Sequence, residues 1–363
     1  MKTLVIHVGD HKTGTSSIQR TLANVRNGRT LQKQGTTYCV SGRGKRYAHH
    51  SLADQILKPD NFKGNNDLWA MLAQEIQTSK NHNFIVSSEN FENVEPECIK
   101  KFTDKYLPKI NIRIILYIRP HISRLISSYS QVTKQGFLHT TLEDFIRKQM
   151  KVNSLKYAVR IRKWRDCYGG NIIARPFIRK ELHGKNVIDD FLKCALNIKD
   201  EQFEAKKTFN LIENNVSPSY KIIEVMKIHG STVHNIDLEE YDETKFKYNR
   251  EYARHIFEPL YESLINAYPE GSSKPYISPE LLEEIKNFYR QDAQRVDRRC
   301  FGKKSFFEQS LNNGDGVVTT PVVAITPEEA SIHLAYADFI KKSLPKLLVK
   351  APTFTEEEAE ETE

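Results

Sequence analysis

The 363-residue chain has little cysteine and no long apolar run, and both absences limit what the protein can be. Its five cysteines are scattered along the sequence and include no Cys-x-x-Cys pair. This pattern argues against a disulfide framework or a zinc site and favours reduced thiols. No stretch reaches the roughly 20 apolar residues of a membrane-spanning helix. The apolar run at the N-terminus is short and a polar loop follows it, so we expect no signal peptide and a cytoplasmic protein.

Charge is unevenly distributed along the chain. The net charge is +8, but the segment Ala351–Glu363 carries six glutamates and no basic residue, which leaves +8 plus 6, or +14, on the rest. A basic body favours an anionic partner, such as a nucleotide, an acidic glycan, nucleic acid or a membrane surface. The acidic segment is predicted to be a disordered tail.

Short apolar runs alternate with amphipathic segments over the first 200 residues. The runs predict strands at Lys2–Val8, Phe84–Ser87, Ile112–Ile118 and Ile172–Ala174. The segments between them predict helices at Thr15–Lys33, Asp67–Ser79, Pro96–Leu107, Pro120–Lys134 and Leu155–Cys167. Such alternation is typical of a parallel sheet with helices on both faces, so the fold class is a three-layer α/β/α domain.

Strand signals fade after about residue 200, and the C-terminal part is predicted to be helical. Helices are expected at Pro218–His229, Arg250–Tyr268, Pro279–Arg299 and Pro327–Leu344, with an irregular segment from Gly302 to Thr326. We therefore expect a domain over residues 1–305 that is helical from about residue 200. An irregular segment and a C-terminal helix over 306–350 follow, and then the tail over 351–363.

The loop after the first strand has the features of an anion site. It reads Gly9-Asp10-His11-Lys12-Thr13-Gly14-Thr15-Ser16-Ser17, and the next helix begins within it. The first amides of a helix have no internal partner, and the helix dipole adds positive charge there. The glycines allow close backbone approach, Lys12 adds a full charge, and three hydroxyls can donate. The loop is therefore predicted to bind a phosphate.

The same loop departs from the nucleotidase loop G-x-x-x-x-G-K-[ST]. Gly9 and Gly14 have the right separation, but Thr15 stands where that loop has lysine, and the lysine is at position 12 instead. The sequence thus predicts a phosphate site without the usual lysine and Mg²⁺ arrangement, and no metal is expected.

A second anion motif follows the strongest strand. Arg119 comes directly after Ile112–Ile118, and Ser127 lies eight residues later on the predicted helix. An arginine at a strand end can form two parallel hydrogen bonds with a phosphate. We expect the Ser127 hydroxyl to reach the same anion. Taken alone, an ordinary basic surface helix explains this segment about equally well.

Together the two segments resemble those of sulfotransferases that use 3′-phosphoadenosine 5′-phosphosulfate (PAPS). The string HKTGTSSIQ at His11–Gln19 resembles the loop that binds the 5′-phosphosulfate, above all in bacterial glycan sulfotransferase-like proteins. Arg119 with Ser127 resembles the motif for the 3′-phosphate. One departure is that Pro120 directly follows the arginine, whereas the family commonly places proline one residue later. The similarity covers roughly residues 1–305, and only the two phosphate motifs are specific.

The resemblance implies a P-loop-type enzyme that moves a sulfonate group from PAPS to a hydroxyl of a glycan or glycoconjugate. Lys12 would contact the leaving phosphate and the sulfonate. The 5′-phosphate would be held by the loop residues Lys12, Thr13, Gly14, Thr15, Ser16 and Ser17. Bacterial members suggest a polysaccharide or lipopolysaccharide precursor as acceptor. That acceptor leaves open a membrane-surface contact, and no nucleic acid partner is expected.

Sulfonate transfer also needs a base for the acceptor hydroxyl. Glu89 directly follows the strand Phe84–Ser87 and Ser88, which places it beside the first loop. In glycan sulfotransferases of this fold a glutamate in a comparable place is the base, so Glu89 inherits that role. A helix-capping or salt-bridging carboxylate is the alternative. His11 and His50 are weaker candidates for contact with the acceptor.

Two other functions are compatible with the sequence. One is a nucleotide kinase or NTPase on the same fold, against which the displaced lysine and the lack of a Mg²⁺ carboxylate motif count. The other is a non-catalytic protein that binds acidic glycan or nucleic acid, although no recognition helix or RNA-binding signature is present. An activity that depends on ATP and Mg²⁺ would favour the kinase or NTPase. Steeply salt-dependent binding to nucleic acid, without affinity for PAPS, would favour the non-catalytic binding protein.

Overall fold

A computed structural model gives the fold of most of the chain. It describes residues 1–44, 47–62, 67–135, 140–212, 219–234, 257–268, 274–302, 304–321 and 324–348. The predicted tail Ala351–Glu363 and the first part of the predicted helix Arg250–Tyr268 lie outside these ranges.

Five parallel strands form one sheet in the order β2-β3-β1-β4-β5. Their bounds are β1 Thr3–Gly9, β2 Thr36–Tyr38, β3 Asn83–Ser88, β4 Asn111–Ile118 and β5 Ile172–Pro176. The apolar, β-branched composition of β1, β3 and β4 suits strands that are buried on both faces. The central strand β1 starts in register with both neighbours, since Thr3 lies opposite Asn83 and Asn111. The ends of these three strands therefore meet at one edge of the sheet.

Helices cover both faces of the sheet and complete the predicted three-layer α/β/α fold. On one face Val5, Ile85 and Ile115 pack against α1 (Thr15–Ala23), α2 (Val25–Lys33) and α9 (Val187–Ala195). On the other, α8 (Tyr157–Tyr168) contacts β4 and β5, and α5 (Pro96–Tyr106) packs on α8 and on α4 (Leu68–Thr78). Alternate residues along each strand thus serve two separate apolar layers.

The four predicted strands are confirmed, but some local predictions were wrong. The predicted helix Thr15–Lys33 is two helices, because Asn24 leaves the helical conformation and its side chain caps the amides of Arg26 and Asn27. Strand β2 and the helices α3 (His50–Leu57) and α7 (Leu142–Lys151) were not predicted. The segment from Gly302 to Thr326 was expected to be irregular, yet it contains α13 (Phe306–Asn313).

The chain divides into two compact units. The first comprises Met1–His121, Leu155–Asn215 and Tyr289–Leu311, and the second comprises Ile122–Ser154, Val216–Phe288 and Asn312–Glu363. The sheet belongs to the first unit. Helix α10 (Tyr220–His234) lies wholly in the second unit, and α6 (His121–Lys134) lies in it apart from its first residue. The division between the units falls within α12 (Pro279–Cys300).

The second unit has an apolar core of its own. Ile222, Val225 and Met226 of α10 pack against Phe257 and Leu264 of α11, the helix over 257–267. The last described helix, α14 (Pro327–Leu348), lies against α10. Among the described residues, no helix combines the length and the apolar character needed to cross a membrane.

Candidate functional site

The candidate site lies where β1, β3 and β4 end. Strand β1 ends at Gly9, β3 ends at Ser88 and is followed by Glu89, and β4 ends at Ile118 and is followed by Arg119. Ligands of open α/β sheets bind outside the carboxyl ends of the strands, because the helix N-termini point there. The three sequence segments singled out above therefore meet at the edge that such folds use for binding.

The loop after β1 has an unusual backbone. Lys12 adopts φ 70° and Gly14 adopts φ 77°, both in the left-handed region. A side chain at Gly9 would place its Cβ 2.4 Å from Oγ1 of Thr15, so the turn requires glycine there. Gly14 directly precedes α1, whose first turn contains no acidic residue. A non-glycine residue held at positive φ is uncommon and is typical of functional loops.

The hydroxyl groups of this loop differ in their surroundings. The hydroxyl of Thr13 is buried and donates to the carbonyl of Asp10 at 2.6 Å. Thr15 and Ser17 are buried, whereas Ser16 is exposed. Oγ1 of Thr15 has no hydrogen-bond partner within the described part of the chain. Thr13 therefore shapes the loop, and Ser16 is the hydroxyl that faces solvent.

A network of charged side chains binds the loop through Asp10 and His11. Arg160 on α8 pairs with the buried carboxylate of Asp10 and, at 3.2 Å, with Glu92. The other oxygen of Glu92 accepts from the amide of His11 at 2.9 Å and lies 2.7 Å from its Nδ1. Burial disfavours the charge on Arg160, but Asp10 and Glu92 outweigh this effect and raise its pKa. The positive charge of Arg160 thus offsets the negative charge of the buried Asp10 carboxylate beside the predicted phosphate site.

The structure brings Arg119 to the first loop. Its Nη1 donates to the carbonyl oxygen of Lys12 at 3.1 Å, and its guanidinium lies 5.8 Å from the ring centre of Phe177. Arg119 and Lys12 therefore lie on the same side of the sheet, at adjacent strand ends. Ser127 is half-buried on α6, in the second unit, so its relation to Arg119 stays a prediction.

Glu89 begins a short 3-10 helix, Glu89–Asn93, directly after β3. One carboxylate oxygen accepts from Nε2 of Gln19 at 2.9 Å, and the other lies 3.7 Å from Nε2 of His50. The Glu89 side chain is 21% exposed. One oxygen of this carboxylate is thus fixed by an amide, while the other faces a titratable ring.

Four histidines near the strand ends, His7, His11, His49 and His50, fall into two groups. His7 and His49 are buried, and desolvation lowers the pKa of His7 to about 3 and that of His49 to about 4. His7 lies 2.8 Å from the hydroxyl of Ser87. By contrast, the side chains of His11 and His50 are 43% and 37% exposed. Nδ1 of His50 lies 2.8 Å from the hydroxyl of Ser88. Only the second group can contact a ligand without unfolding of the core.

Sequence reasoning missed the residues that hold the site together. Gln19 ends the string that carries the resemblance, and its place one turn after Thr15 is a signal that it faces the loop. Glu92 and Arg160 carry no such signal, because they lie 81 and 150 residues from their loop partners His11 and Asp10. Only the folded chain shows that they meet.

Comparisons with known proteins add no family to this picture. No protein-family model matches the chain. A search of curated proteins also finds no match. Within the described ranges no three His, Cys, Asp or Glu side chains are grouped to hold a metal ion, and the expectation of a metal-free enzyme stays a prediction.

Proposed function

We propose that the protein is a sulfotransferase that moves a sulfonate group from PAPS to a hydroxyl of a glycan or glycoconjugate. The observation that carries the proposal is the 3.1 Å contact between Arg119 and the Lys12 carbonyl. PAPS has a phosphate at each end of its ribose, and it needs two cationic groups within the span of one nucleoside. The contact places the Arg119 guanidinium against the loop that carries Lys12, which supports the proposal.

The loop geometry supports a phosphate rather than a neutral ligand. Gly14 and the start of α1 present backbone amides, and the helix dipole favours negative charge there. The buried Asp10 would oppose an anion, but Arg160 neutralises it. Arg160 therefore offsets the negative charge of Asp10 beside the loop.

In the proposed reaction the acceptor oxygen attacks sulfur in line with the bond to the 5′-phosphate. A sulfur–oxygen bond to the acceptor forms as the sulfur–oxygen bond to the phosphate breaks. The products are the sulfated acceptor and 3′-phosphoadenosine 5′-phosphate (PAP). Lys12 stabilises the charge that develops on the leaving phosphate, and Glu89 accepts the proton of the acceptor hydroxyl.

The environment of Glu89 suits a base. The side-chain amide of Gln19 donates to one oxygen of the carboxylate and holds it in place. The second oxygen is available on the side of His50. His11 and His50 are the exposed rings next to this carboxylate and the loop, so we assign them to the acceptor side. A cytoplasmic location, expected from the sequence, is part of this proposal.

The decisive experiment measures transfer and binding separately. The purified protein is incubated with PAPS and a panel of glycans, and mass spectrometry is expected to detect the gain of one sulfonate group on a glycan. Binding of PAP is measured by calorimetry without acceptor. Arg119→Ala is expected to weaken PAP binding about 10- to 100-fold, because a charge-assisted contact is lost.

Arg20→Ala serves as the matched control for this variant. Arg20 is a half-buried arginine on α1 whose guanidinium lies over the ring of Tyr47. Its loss is expected to leave PAP binding within about twofold of the wild type. Absence of any PAP binding by the wild type, with tight binding of ATP instead, would overturn the sulfotransferase proposal in favour of a nucleotide kinase or NTPase.

A further inference from the structure

The loop that follows β2 lies beside the candidate base and carries no residue that the proposed reaction uses. Strand β2 runs parallel to β3 and pairs with it, so the two strands end at the same edge of the sheet. The chain returns to β3 at His49, whose amide donates to the carbonyl of Ser87 at 2.8 Å. The β2 loop, residues 39–48, therefore flanks Glu89. Residues 45 and 46 of this loop lie outside the described ranges, and nothing below depends on them.

The β2 loop holds a tyrosine in an unusual backbone conformation. Tyr47 adopts φ 75°, in the left-handed region, where a bulky side chain is uncommon. Its carbonyl accepts a hydrogen bond of 2.6 Å from the hydroxyl of Tyr38, which is buried. Tyr47 itself is 42% exposed. Strained residues of this kind cluster in loops that hold ligands, so the β2 loop is a candidate for binding.

Two arginines lie over the tyrosine rings of this region. The guanidinium of Arg20, the residue after Gln19 on α1, lies 5.5 Å from the ring centre of Tyr47. The guanidinium of Arg43 lies 5.5 Å from the ring centre of Tyr38. Both arginines are half-buried. Since a hydrogen bond joins the two tyrosines, the four residues form one group, which we call the arginine–tyrosine patch.

The arginines of the patch differ from others in the same unit, because no carboxylate neutralises them. Among the residues that the structure describes, none forms an ion pair with either guanidinium of the patch. By contrast, the half-buried Arg160 and Arg175 pair with the buried carboxylates of Asp10 and Asp190. The patch therefore carries two positive charges that the described part of the fold does not balance.

Two carboxylates close to the β2 loop have other partners. Glu75 on α4 accepts hydrogen bonds from the amides of Val40 and Ser41 at 2.9 Å and 2.8 Å. Glu89 accepts from the side chain of Gln19 at 2.9 Å. Both carboxylates thus serve to order the chain around the patch, and its guanidinium groups can bind an anionic ligand.

The chemistry of the patch fits an acidic sugar chain. A planar guanidinium binds a carboxylate or a sulfate group through two parallel hydrogen bonds. A tyrosine ring adds a rigid apolar face with a polar tip, against which a sugar ring can pack. A neutral glycan would use the rings but would leave both cations without a partner. Glycans that carry carboxylate or sulfate groups match both features.

We propose that the arginine–tyrosine patch is the acceptor subsite and that it takes an acidic glycan, whose carboxylate or sulfate groups bind Arg20 and Arg43. The inference rests on the proposed function, because the proposed reaction brings a glycan to Glu89. The base then faces a hydroxyl of a sugar close to the bound anionic group. The patch thus selects the acceptor, whereas Lys12 and Arg119 bind the donor.

The test compares acidic oligosaccharides with neutral ones of the same length. One pair is oligogalacturonate and its carboxyl-reduced form, and the other is a sulfated cello-oligosaccharide and its unsulfated form. Binding to the full chain is measured by calorimetry without PAPS. The wild type is expected to bind at least one acidic form roughly tenfold or more tightly than its neutral counterpart, and salt is expected to weaken this binding. The two pairs distinguish a carboxylate from a sulfate ester.

Variants of the patch locate the binding. Arg20→Gln and Arg43→Gln are each expected to weaken binding of the acidic form about tenfold, because a charge-assisted contact is lost, and to leave the neutral form and PAP unaffected. The double variant is expected to lose about 100-fold. In transfer assays the same changes should raise KM for the acidic acceptor and leave kcat unchanged.

Arg162→Gln is the matched control, since it removes the same charge from an exposed position on α8, at the other face of the sheet. It is expected to bind both acidic forms as the wild type does, and circular dichroism should show that all variants fold. Lys12→Ala should keep glycan binding and lose transfer, which separates the acceptor subsite from the donor site.

Three outcomes would overturn the acceptor subsite. One is that the wild type binds neither acidic form more tightly than its neutral counterpart. Another is that the double variant binds as the wild type does. The third is tighter binding of a single-stranded oligonucleotide than of either acidic form, lost in the double variant, which would assign the patch to nucleic acid. Selective binding of an acidic form without PAP binding or transfer would instead support the glycan site and overturn the sulfotransferase reaction.

Discussion

Two glutamate–histidine pairs lie at the same edge of the sheet, and they differ in how firmly the carboxylate is held. Glu92 lies 2.7 Å from Nδ1 of His11 and also binds Arg160 and the His11 amide. Glu89 binds the amide of Gln19 through one oxygen, and its other oxygen lies 3.7 Å from Nε2 of His50. Both carboxylates follow β3 on one short 3-10 helix, three residues apart.

The comparison separates a structural carboxylate from a reactive one. Arg160 and the His11 amide both donate to Glu92, so removing its charge would weaken hydrogen bonds that order the loop. Glu89 has one fixed oxygen and one that faces a ring at a distance too long for a hydrogen bond. A group that exchanges a proton needs such a freely available oxygen.

The largest expected effect comes from replacing each of the two glutamates separately with glutamine. Glu89→Gln is expected to lower turnover about 10²- to 10⁴-fold, because the proposed base is lost, while PAP binding stays unchanged. Glu92→Gln is expected to lower the free energy of unfolding by about 1.5–3 kcal/mol, since a charged hydrogen-bond partner of Arg160 is removed. Transfer assays with PAPS measure the turnover of Glu89→Gln, and urea unfolding measures the stability of Glu92→Gln. A Glu89→Gln variant with full turnover would move the base to a histidine.

Lys12→Ala is expected to have the next largest effect on turnover. Removing a cation that stabilises the leaving phosphate should slow transfer about 10²- to 10³-fold, with a smaller loss in PAP affinity. Single-turnover kinetics and calorimetry give the two numbers. Lys33→Ala, at the far end of α2, is the control and should change neither. Equal losses in turnover and affinity would mean that Lys12 only binds the nucleotide.

Arg160→Lys tests whether the network around Glu92 acts through geometry. Lysine keeps the charge but cannot bind Asp10 and Glu92 with two arms of one planar group. We expect the variant to lose about 1–2 kcal/mol in the free energy of unfolding and to bind PAP several-fold more weakly. Arg162→Lys, two residues along the same helix, should leave both properties unchanged. Wild-type affinity in Arg160→Lys would mean that the loop does not depend on this pairing.

The smallest expected effect is a loss of stability at low pH caused by the buried histidines His7 and His49. They contrast with the exposed pair His11 and His50. His7 and His49 have pKa values lowered to about 3 and about 4 by burial, so the unfolded chain binds protons first as the pH falls. Stability is therefore lost below a pH of about 6.5, and we expect about 1 kcal/mol per histidine between pH ~7 and pH ~5.5. Urea unfolding at both values measures this loss. His7→Gln should reduce the difference, and an unchanged difference would exclude His7 as its source.

The sequence predicted the sheet well because its strands are apolar and β-branched. Strands β1, β3, β4 and β5 stand out by composition, whereas β2 is the three residues Thr36–Tyr38 and has no such pattern. The predicted single helix Thr15–Lys33 failed at Asn24, where a capping side chain starts a new helix inside a continuous amphipathic pattern. Local capping chemistry overrode the periodicity there.

The site was predictable only in part, because a rule of sequence position exists for some of its residues and not for the others. Lys12, Glu89 and Arg119 follow strands directly, so the rule that ligands bind at strand ends places them together. Their partners Glu92 and Arg160 come from a turn of 3-10 helix and from a distant helix, and no spacing rule connects them to the loop. His50 lies at the start of α3, a helix that the sequence did not predict.

Arg160 has a consequence for how the protein is made. The ribosome releases the loop around Asp10 long before it reaches α8, so the loop first folds without its cation. A buried carboxylate without a partner is unfavourable, and the order of the loop must wait for residues 157–168. A shortened chain that stops before α8 would keep both strand-end motifs but could not complete the anion site. Nascent-chain folding of this site is thus coupled to the synthesis of nearly half of the protein.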